Sequence, residues 1–146
     1  MSSKIQSIHN LLSYQLTHLC RNRRTYSTAK LTELGMYPGQ DQILLRLHED
    51  PGLTQSQLAE LLGVQQPTVA KVLQRMEKSG LLYRQLNPED ARTSLLSLTA
   101  QGQELIPAIL AFWDAYENKT LDGLGADEIS TLKHCLEVIN QNFLKK

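Results

Sequence analysis

The segment from Thr54 to Gly80 constrains the fold more than any other part of the chain. Thr54 and Gln57 form a capping-box pattern, in which a hydroxyl and an amide three residues apart satisfy free N–H groups at a helix start. Gly63 then predicts a tight turn, and Pro67 suits the first turn of a second helix. Gly80 stands where that second helix ends. The segment therefore predicts two helices joined by a short turn.

The second of these helices has two chemically different faces. At 100° per residue, its apolar side chains fall within an arc of about 100°: Val69, Val72, Leu73 and Met76. Its polar and cationic side chains occupy a separate arc of about 80°: Thr68, Lys71, Arg75 and Lys78. This pattern is typical of a helix-turn-helix, whose second helix lies in the major groove of DNA. A solvated helix face is the alternative interpretation of the cationic arc.

A predicted hairpin follows this helix. Two short extended runs, 82–86 and 93–98, flank the turn-forming segment 87–92. A hairpin with Arg92 at its tip can reach a minor groove while the helix occupies the major groove. The two elements together predict a winged helix-turn-helix. A local salt bridge within the turn is the alternative interpretation of Asp90 and Arg92.

The flanking segments predict further helices. The first carries an apolar stripe and extends to about Leu34: Ile5, Ile8, Leu12, Leu16 and Leu19. Pro38 fits the first turn of a second helix, and Thr99 can cap a helix after the hairpin. The last helix has spacing close to a coiled-coil seam: Ile129, Leu132, Leu136, Ile139 and Phe143. The fold class is therefore mainly α with a small β-hairpin (α+β).

The net charge at first argues against a nucleic-acid partner, because fifteen Lys and Arg balance fifteen Asp and Glu. The distribution changes this interpretation. Residues 54–100 carry five basic side chains against four acidic ones, and these bases gather on one helix face and the hairpin. The acidic residues concentrate after residue 100. Neutrality of the whole chain therefore does not exclude DNA binding.

Several classes of protein find no support in the sequence. It contains no apolar run long enough to span a bilayer and no signal-peptide pattern in residues 1–10, so we expect a cytoplasmic protein without a membrane partner. The sequence also lacks a P-loop, a dinucleotide fingerprint and the common hydrolase and zinc-protease motifs, so we expect no enzyme activity. We also expect no cofactor, and no metal because His, Cys, Asp and Glu form no obvious chelating pair.

Three stretches of the chain resemble the MarR family of transcriptional regulators. They are 53–69 in the helix-turn-helix, 73–82 at the end of the second helix, and Asp90-Ala91-Arg92 followed by Leu98-Thr99 and Gly102 around the hairpin. The resemblance covers essentially the whole chain, 1–146, as a single domain. It implies a DNA-binding lobe over 36–100, with N- and C-terminal dimerisation helices over 1–35 and 101–146.

The resemblance also implies which residues contact DNA. Thr54 and Ser56 would hold a phosphate at a helix start, and Asp90 would orient Arg92 in the minor groove. The recognition helix and first hairpin strand would supply the remaining contacts: Gln65, Gln66, Thr68, Lys71, Arg75 and Arg84. Gln and Arg side chains suit base edges, whereas Lys suits phosphate. Thr93 stands where many members of the family have a second Arg.

The function implied is that of a homodimeric repressor on a pseudo-palindromic operator in double-stranded DNA, released by a small, aromatic or anionic effector. The effector site is unknown. Polar and aromatic residues near the expected cleft are more often core or surface than ligand contacts: Arg23, Arg24, Tyr26, Tyr37, Phe112, Trp113 and Tyr116. Two alternatives are a winged-helix protein-interaction module without DNA binding and a redox sensor using Cys20. Cys20 has cationic neighbours, but we expect it to be buried and inert.

Overall fold

The computed structural model describes residues 7–145, and it is mainly helical with one antiparallel hairpin, as the sequence predicts. A short 3₁₀ turn, Ile8–Asn10, precedes seven α-helices and two strands in the described part of the chain. In chain order these elements are α1 Leu12–Glu33, α2 Gln40–Glu49, α3 Gln55–Leu62, α4 Gln66–Lys78, β1 Leu82–Leu86, β2 Ser94–Leu98, α5 Ala100–Glu104, α6 Ile106–Leu121 and α7 Ala126–Leu144. The chain divides into two compact units, the first ending at Phe112 and the second beginning at Trp113.

The core of the first unit lies where α2, α3, α4 and the hairpin meet. Its fully buried side chains include Leu44, Leu47, Leu58, Leu73, Met76 and Leu96. The segment before α3 joins the hairpin edge, because the N–H of Leu96 donates to the carbonyl of Leu53 at 2.8 Å. The N–H of Gly52 in turn donates to the carbonyl of Leu96 at 2.9 Å. The loop entering α3 is thereby fixed to β2.

The predicted two faces of α4 are both present. Val69, Leu73 and Met76 are buried, while the polar and cationic arc is exposed. The helix ends in a Schellman motif: Gly80 takes a left-handed φ of 73°, and the N–H of Leu81 donates to the carbonyl of Met76. The packed face therefore fixes which way the cationic face points.

The end of α4 is connected directly to the start of α5. Thr99 caps α5, and its hydroxyl also donates to the carbonyl of Gly80. Gly102 is buried at a point where a Cβ would overlap the carbonyl oxygen of Leu81. The backbone that follows the hairpin thus closes on the backbone that precedes it.

Several expected boundaries are wrong. The first helix begins at Leu12, because Ser7 caps a separate 3₁₀ turn and Leu11 is extended; Ile5, which was expected in its stripe, lies outside the described residues. Pro38 precedes α2, because Gly39 has a φ of 88° and serves as its N-cap.

The second strand and the helix after it also differ from the expected boundaries. The strand starts at Ser94, since the N–H of Thr93 bonds to Asp90 within the turn. The single helix expected after Thr99 is two helices, and Pro107 lies in the first turn of the second. Proline there cannot donate to the carbonyl four residues earlier, and the first turn is where it is tolerated.

The second unit contains the later part of α6 and all of α7. Tyr116 is buried, and its ring meets that of Trp113 edge to face at 5.7 Å between centroids. No described side chain of α7 is buried. Its predicted stripe is half-buried at Ile129 and Ile139 and exposed at Leu132, Leu136 and Phe143. Within residues 7–145, no helix has the length and apolar character needed to cross a membrane.

Candidate nucleic-acid interface

The outward face of α4 carries most of the residues predicted to contact DNA. All of the polar and cationic side chains in this set are exposed: Gln65 at the N-cap of α4, and Gln66, Thr68, Lys71 and Arg75 within the helix. Three of them, Thr68, Lys71 and Arg75, line a shallow groove of about 330 Å³ together with Pro67 and Val72. Amide, hydroxyl and cationic donors thus stand side by side on one solvent-facing helix surface.

Tyr37 lies beside this surface. The sequence raised Tyr37 only as a candidate effector contact and did not predict that it would lie near α4. The guanidinium carbon of Arg75 lies 5.5 Å from the centroid of the Tyr37 ring, which is cation–π range. Tyr37 belongs to the loop before α2, far from α4 in sequence. An exposed aromatic in a glycine-flanked loop was the only signal that could have identified it.

The start of α3 has the predicted capping box. The Thr54 hydroxyl accepts from the N–H of Gln57 at 3.2 Å, and the Gln57 side chain accepts from the N–H of Thr54 at 2.9 Å. Thr54 is half-buried and Ser56 is exposed. The Thr54 oxygen therefore serves the helix, and its hydrogen is left to donate to an acceptor such as phosphate.

Arg84 has an intramolecular environment that its prediction as a DNA contact did not include. Its Nε donates to Glu77 of α4 at 3.2 Å, and its Nη atoms lie 3.5 Å from Ser94 of β2 and from Gln55 of α3. Only 30% of its side chain is exposed. In this conformation Arg84 joins both strands of the hairpin to α3 and α4, and DNA contact by Arg84 stays a prediction.

Asp90 and Arg92 form a two-point ion pair at the hairpin tip. Arg92 Nε donates to Asp90 Oδ1 at 3.0 Å and Nη2 donates to Oδ2 at 3.2 Å. Asp90 Oδ1 also accepts from the backbone N–H of Arg92 at 3.1 Å. The Arg92 side chain is nevertheless 90% exposed. Asp90 therefore orients a guanidinium that remains open to solvent.

These hydrogen bonds shift the pKa values of both Asp90 and Arg92. The Arg92 side chain, and then its backbone N–H, hold the pKa of Asp90 below its ordinary value. The Asp90 carboxylate raises the pKa of Arg92. Because the folded-state pKa of Asp90 is lowered, the pair stabilises the hairpin tip above the ordinary carboxyl pKa. This contribution disappears as the pH falls through the folded-state pKa.

Thr93 has a structural role in the turn. Its hydroxyl accepts from the Asn87 amide at 3.0 Å and donates to the carbonyl of Asp90 at 3.1 Å. Asn87 also accepts from the N–H of Glu89 through its side chain. The turn that carries Arg92 is therefore held by side-chain hydrogen bonds across its base.

The remaining candidates lie elsewhere. Cys20 is exposed, as is Cys135, so the expectation of a buried Cys20 is wrong for the single chain; along the described part of α1 only Leu31 is buried. Residues 7–145 contain no group of three His, Cys, Asp or Glu side chains placed to hold a metal. Other residues considered for an effector are half-buried at Tyr26, Phe112 and Trp113 and exposed at Arg23 and Arg24.

The chain is similar in sequence to known transcriptional regulators. The family model described as "MarR family" matches residues 36–94. The chain is 23% identical over 124 residues to YybA, an uncharacterized HTH-type transcriptional regulator of Bacillus subtilis (strain 168), covering 85% of this chain and 83% of YybA.

Solved structures are similar over most of their length. One of the transcriptional regulator SlyA has a TM-score of 0.80 at 29% identity and covers 88% of this chain and 91% of its own. One of the S. aureus MepR–DNA complex has a TM-score of 0.85 at 25% identity and covers 90% and 98%.

The two-point ion pair gives a prediction for Asp90. In Arg92→Ala the pKa of Asp90 should rise, but stay below its ordinary value, because the N–H of residue 92 still donates to the carboxylate. Carboxyl ¹³C chemical shifts followed through a pH titration measure this. Arg75→Ala, which removes a guanidinium not bonded to Asp90, should leave the pKa unchanged. An unchanged pKa in Arg92→Ala would contradict the pairing.

Proposed function

The chain belongs to the MarR family of transcriptional regulators, and from this premise we propose that it acts as a homodimeric repressor of pseudo-palindromic DNA sites. One observation carries the DNA-binding part of the proposal. The cationic face of α4 and the exposed Arg92, which Asp90 orients, lie on the same compact unit. The hydrogen bonds of Arg84 connect α4 to the hairpin that carries Arg92. A related structure, MepR of S. aureus, is a complex with DNA.

The proposed contacts divide by chemistry. In the major groove, Gln65, Gln66 and Arg75 suit base edges, because amide and guanidinium groups can bond to two base atoms at once. Lys71 suits phosphate, and Thr54 and Ser56 at the start of α3 can donate to another phosphate. Arg92 enters the minor groove, where narrow A·T-rich stretches concentrate negative potential.

A second copy of the chain is the proposed partner of the flanking helices. The α7 stripe leaves Leu132, Leu136 and Phe143 exposed in the single chain, and such a row of large apolar side chains is typical of a buried interface. We assign 36–100 to the DNA-binding lobe and 1–35 and 101–146 to dimerisation. A two-fold dimer presents two α4 helices to half-sites about one helical turn apart.

Release by a small effector completes the proposal. The groove on α4 has Lys71 and Arg75 in its lining, so an anionic or aromatic acid bound there would occupy side chains that DNA needs. A ligand with higher affinity for the DNA-free state shifts the population away from the operator. The regulator acts where the chromosome lies, which we propose is the cytoplasm.

Two alternatives give different results in the same binding assays. A winged-helix module that contacts only proteins would show no salt-dependent DNA affinity. A redox sensor would lose DNA affinity on oxidation and keep it in Cys20→Ser. Cys20 is exposed, so an oxidant could reach its thiol. Exposure alone does not make Cys20 a redox sensor.

Removal of the Arg92 side chain at the hairpin tip tests DNA recognition. A duplex selected by the protein from a randomised 26-base-pair library serves as the operator in a fluorescence anisotropy assay. Arg92→Ala should weaken binding roughly 10- to 100-fold, as expected from the loss of one groove contact. Arg46→Ala on α2, which removes a charge that belongs neither to the proposed DNA contacts nor to the dimerisation helices, should leave the affinity unchanged. Equal affinity of Arg92→Ala and the wild type would refute the proposal that Arg92 contacts the minor groove.

The dimer gives a second prediction. Light scattering at micromolar concentration should give twice the 16.5 kDa mass of one chain. Leu136→Glu places a charge in the α7 stripe and should shift the protein towards monomer, because burying an unpaired charge is costly. Gln141→Glu, on the opposite face of the same helix, is the matched control and should remain dimeric. A monomeric wild type would rule out the dimer.

A further inference from the structure

Tyr37 is held rigidly although its ring is exposed. Its N–H donates to the Gln40 side chain at 3.2 Å, and its carbonyl accepts from the Gln40 N–H at 3.2 Å. Gln40 is only 3% exposed, as is Met36 on the other side of Tyr37. The N–H of Met36 donates to the carbonyl of Leu31 at 2.9 Å. The backbone of Tyr37 is therefore fixed from both sides by buried residues.

Tyr37 as a whole residue is 60% exposed. Burial in the core is therefore not its contribution. Among the described residues its ring meets one cation, the Arg75 guanidinium, whose carbon lies 5.5 Å from the ring centroid. The ring therefore lies beside the outward face of α4, against that guanidinium.

Stacking on a ring suits an arginine that must read a base. The ring face attracts the guanidinium without using its N–H donors, which lie in the guanidinium plane and point outwards. A two-point contact to guanine needs those donors at a fixed position and angle. An unsupported surface arginine would have to lose its rotamer freedom when DNA binds, whereas a stacked one has already lost much of it.

We propose that Tyr37 is a positioning residue that preorganises Arg75 for sequence-specific DNA contact. The proposal rests on the proposed DNA-binding function. It adds to the proposed DNA-binding surface a residue that lies outside both α4 and the hairpin. Tyr37 carries no charge, so it affects the choice of sequence rather than the electrostatic attraction to phosphate. Its role depends on the aromatic ring and not on its hydroxyl.

The experiment is a double-mutant cycle on DNA binding. The probes are the duplex selected from the randomised library and a mixed-sequence duplex of the same length. Tyr37→Ala should weaken binding to the selected duplex about 3- to 10-fold, in the range of a cation–π contact. It should leave binding to the mixed-sequence duplex and the salt dependence unchanged. Tyr37→Phe should keep wild-type affinity, because it keeps the ring.

The cycle separates positioning from a structural role. In the Arg75→Ala background, Tyr37→Ala should have no further effect. An equal loss in both backgrounds would overturn the proposal, and so would an equal loss in Tyr37→Phe, which would make the hydroxyl a direct DNA contact. Loss of specific binding by Arg75→Ala alone, with additive Tyr37 effects, would overturn the positioning role and leave the proposed function standing. Absence of salt-dependent DNA binding by the wild type would remove both.

A measurement without DNA keeps the test independent of the stability of Tyr37→Ala. The Arg75 Nε–H signal in the NMR spectrum of the free protein should carry a ring-current shift. That shift should persist in Tyr37→Phe and disappear in Tyr37→Leu, which fills a similar volume without an aromatic ring. A signal that is the same in wild type and Tyr37→Leu would contradict stacking in solution.

Discussion

The burial of one face of α4 is the constraint on which the rest of the candidate site depends. Leu73 and Met76 are fully buried, and Val69 is 2% exposed, so the helix has one favourable rotation about its axis. That rotation places Lys71 and Arg75 in solvent. Burying either cation in the apolar core instead would cost far more than any contact it could gain there. Packing thus determines the direction of the surface that we propose reads DNA.

Contacts with the same helix also fix the position of the hairpin. Arg84 bonds to Glu77 on α4 and to Ser94 in β2, and the Leu53–Leu96 backbone bond ties the hairpin to the start of α3. The tip beyond these contacts is held by the hydrogen bonds of Thr93. The distance between Arg92 and α4 is therefore a property of the folded unit. A reader of two adjacent grooves needs such a fixed spacing.

Local patterns predicted the local structure well. The capping box at Thr54, the Schellman glycine at Gly80 and the two arcs of α4 are encoded within a few residues, and each is present. The start of the first helix was wrong because an apolar stripe does not reveal that Leu11 is extended. The position of Pro38 was wrong because Gly39 at a positive φ supplies the cap instead.

Contacts between distant segments were beyond the sequence. Arg84 and Gln55 are 29 residues apart, and nothing in either neighbourhood indicates that they meet. Tyr37 approaches Arg75 only because the loop before α2 folds beside α4. Asp90 and Arg92 are the opposite case, since two residues in one turn are near each other in almost any hairpin. The MarR resemblance predicted which elements carry the candidate site, but not the contacts through which those elements support one another.

We propose that the exposed α4 face and the hairpin tip form one DNA-binding surface. Backbone amide chemical shifts of the ¹⁵N-labelled protein, titrated with the selected duplex, test it most directly. We expect the largest changes on 65–75 and 90–93 and small changes along α7. Changes concentrated on α7, or spread evenly over the chain, would contradict it.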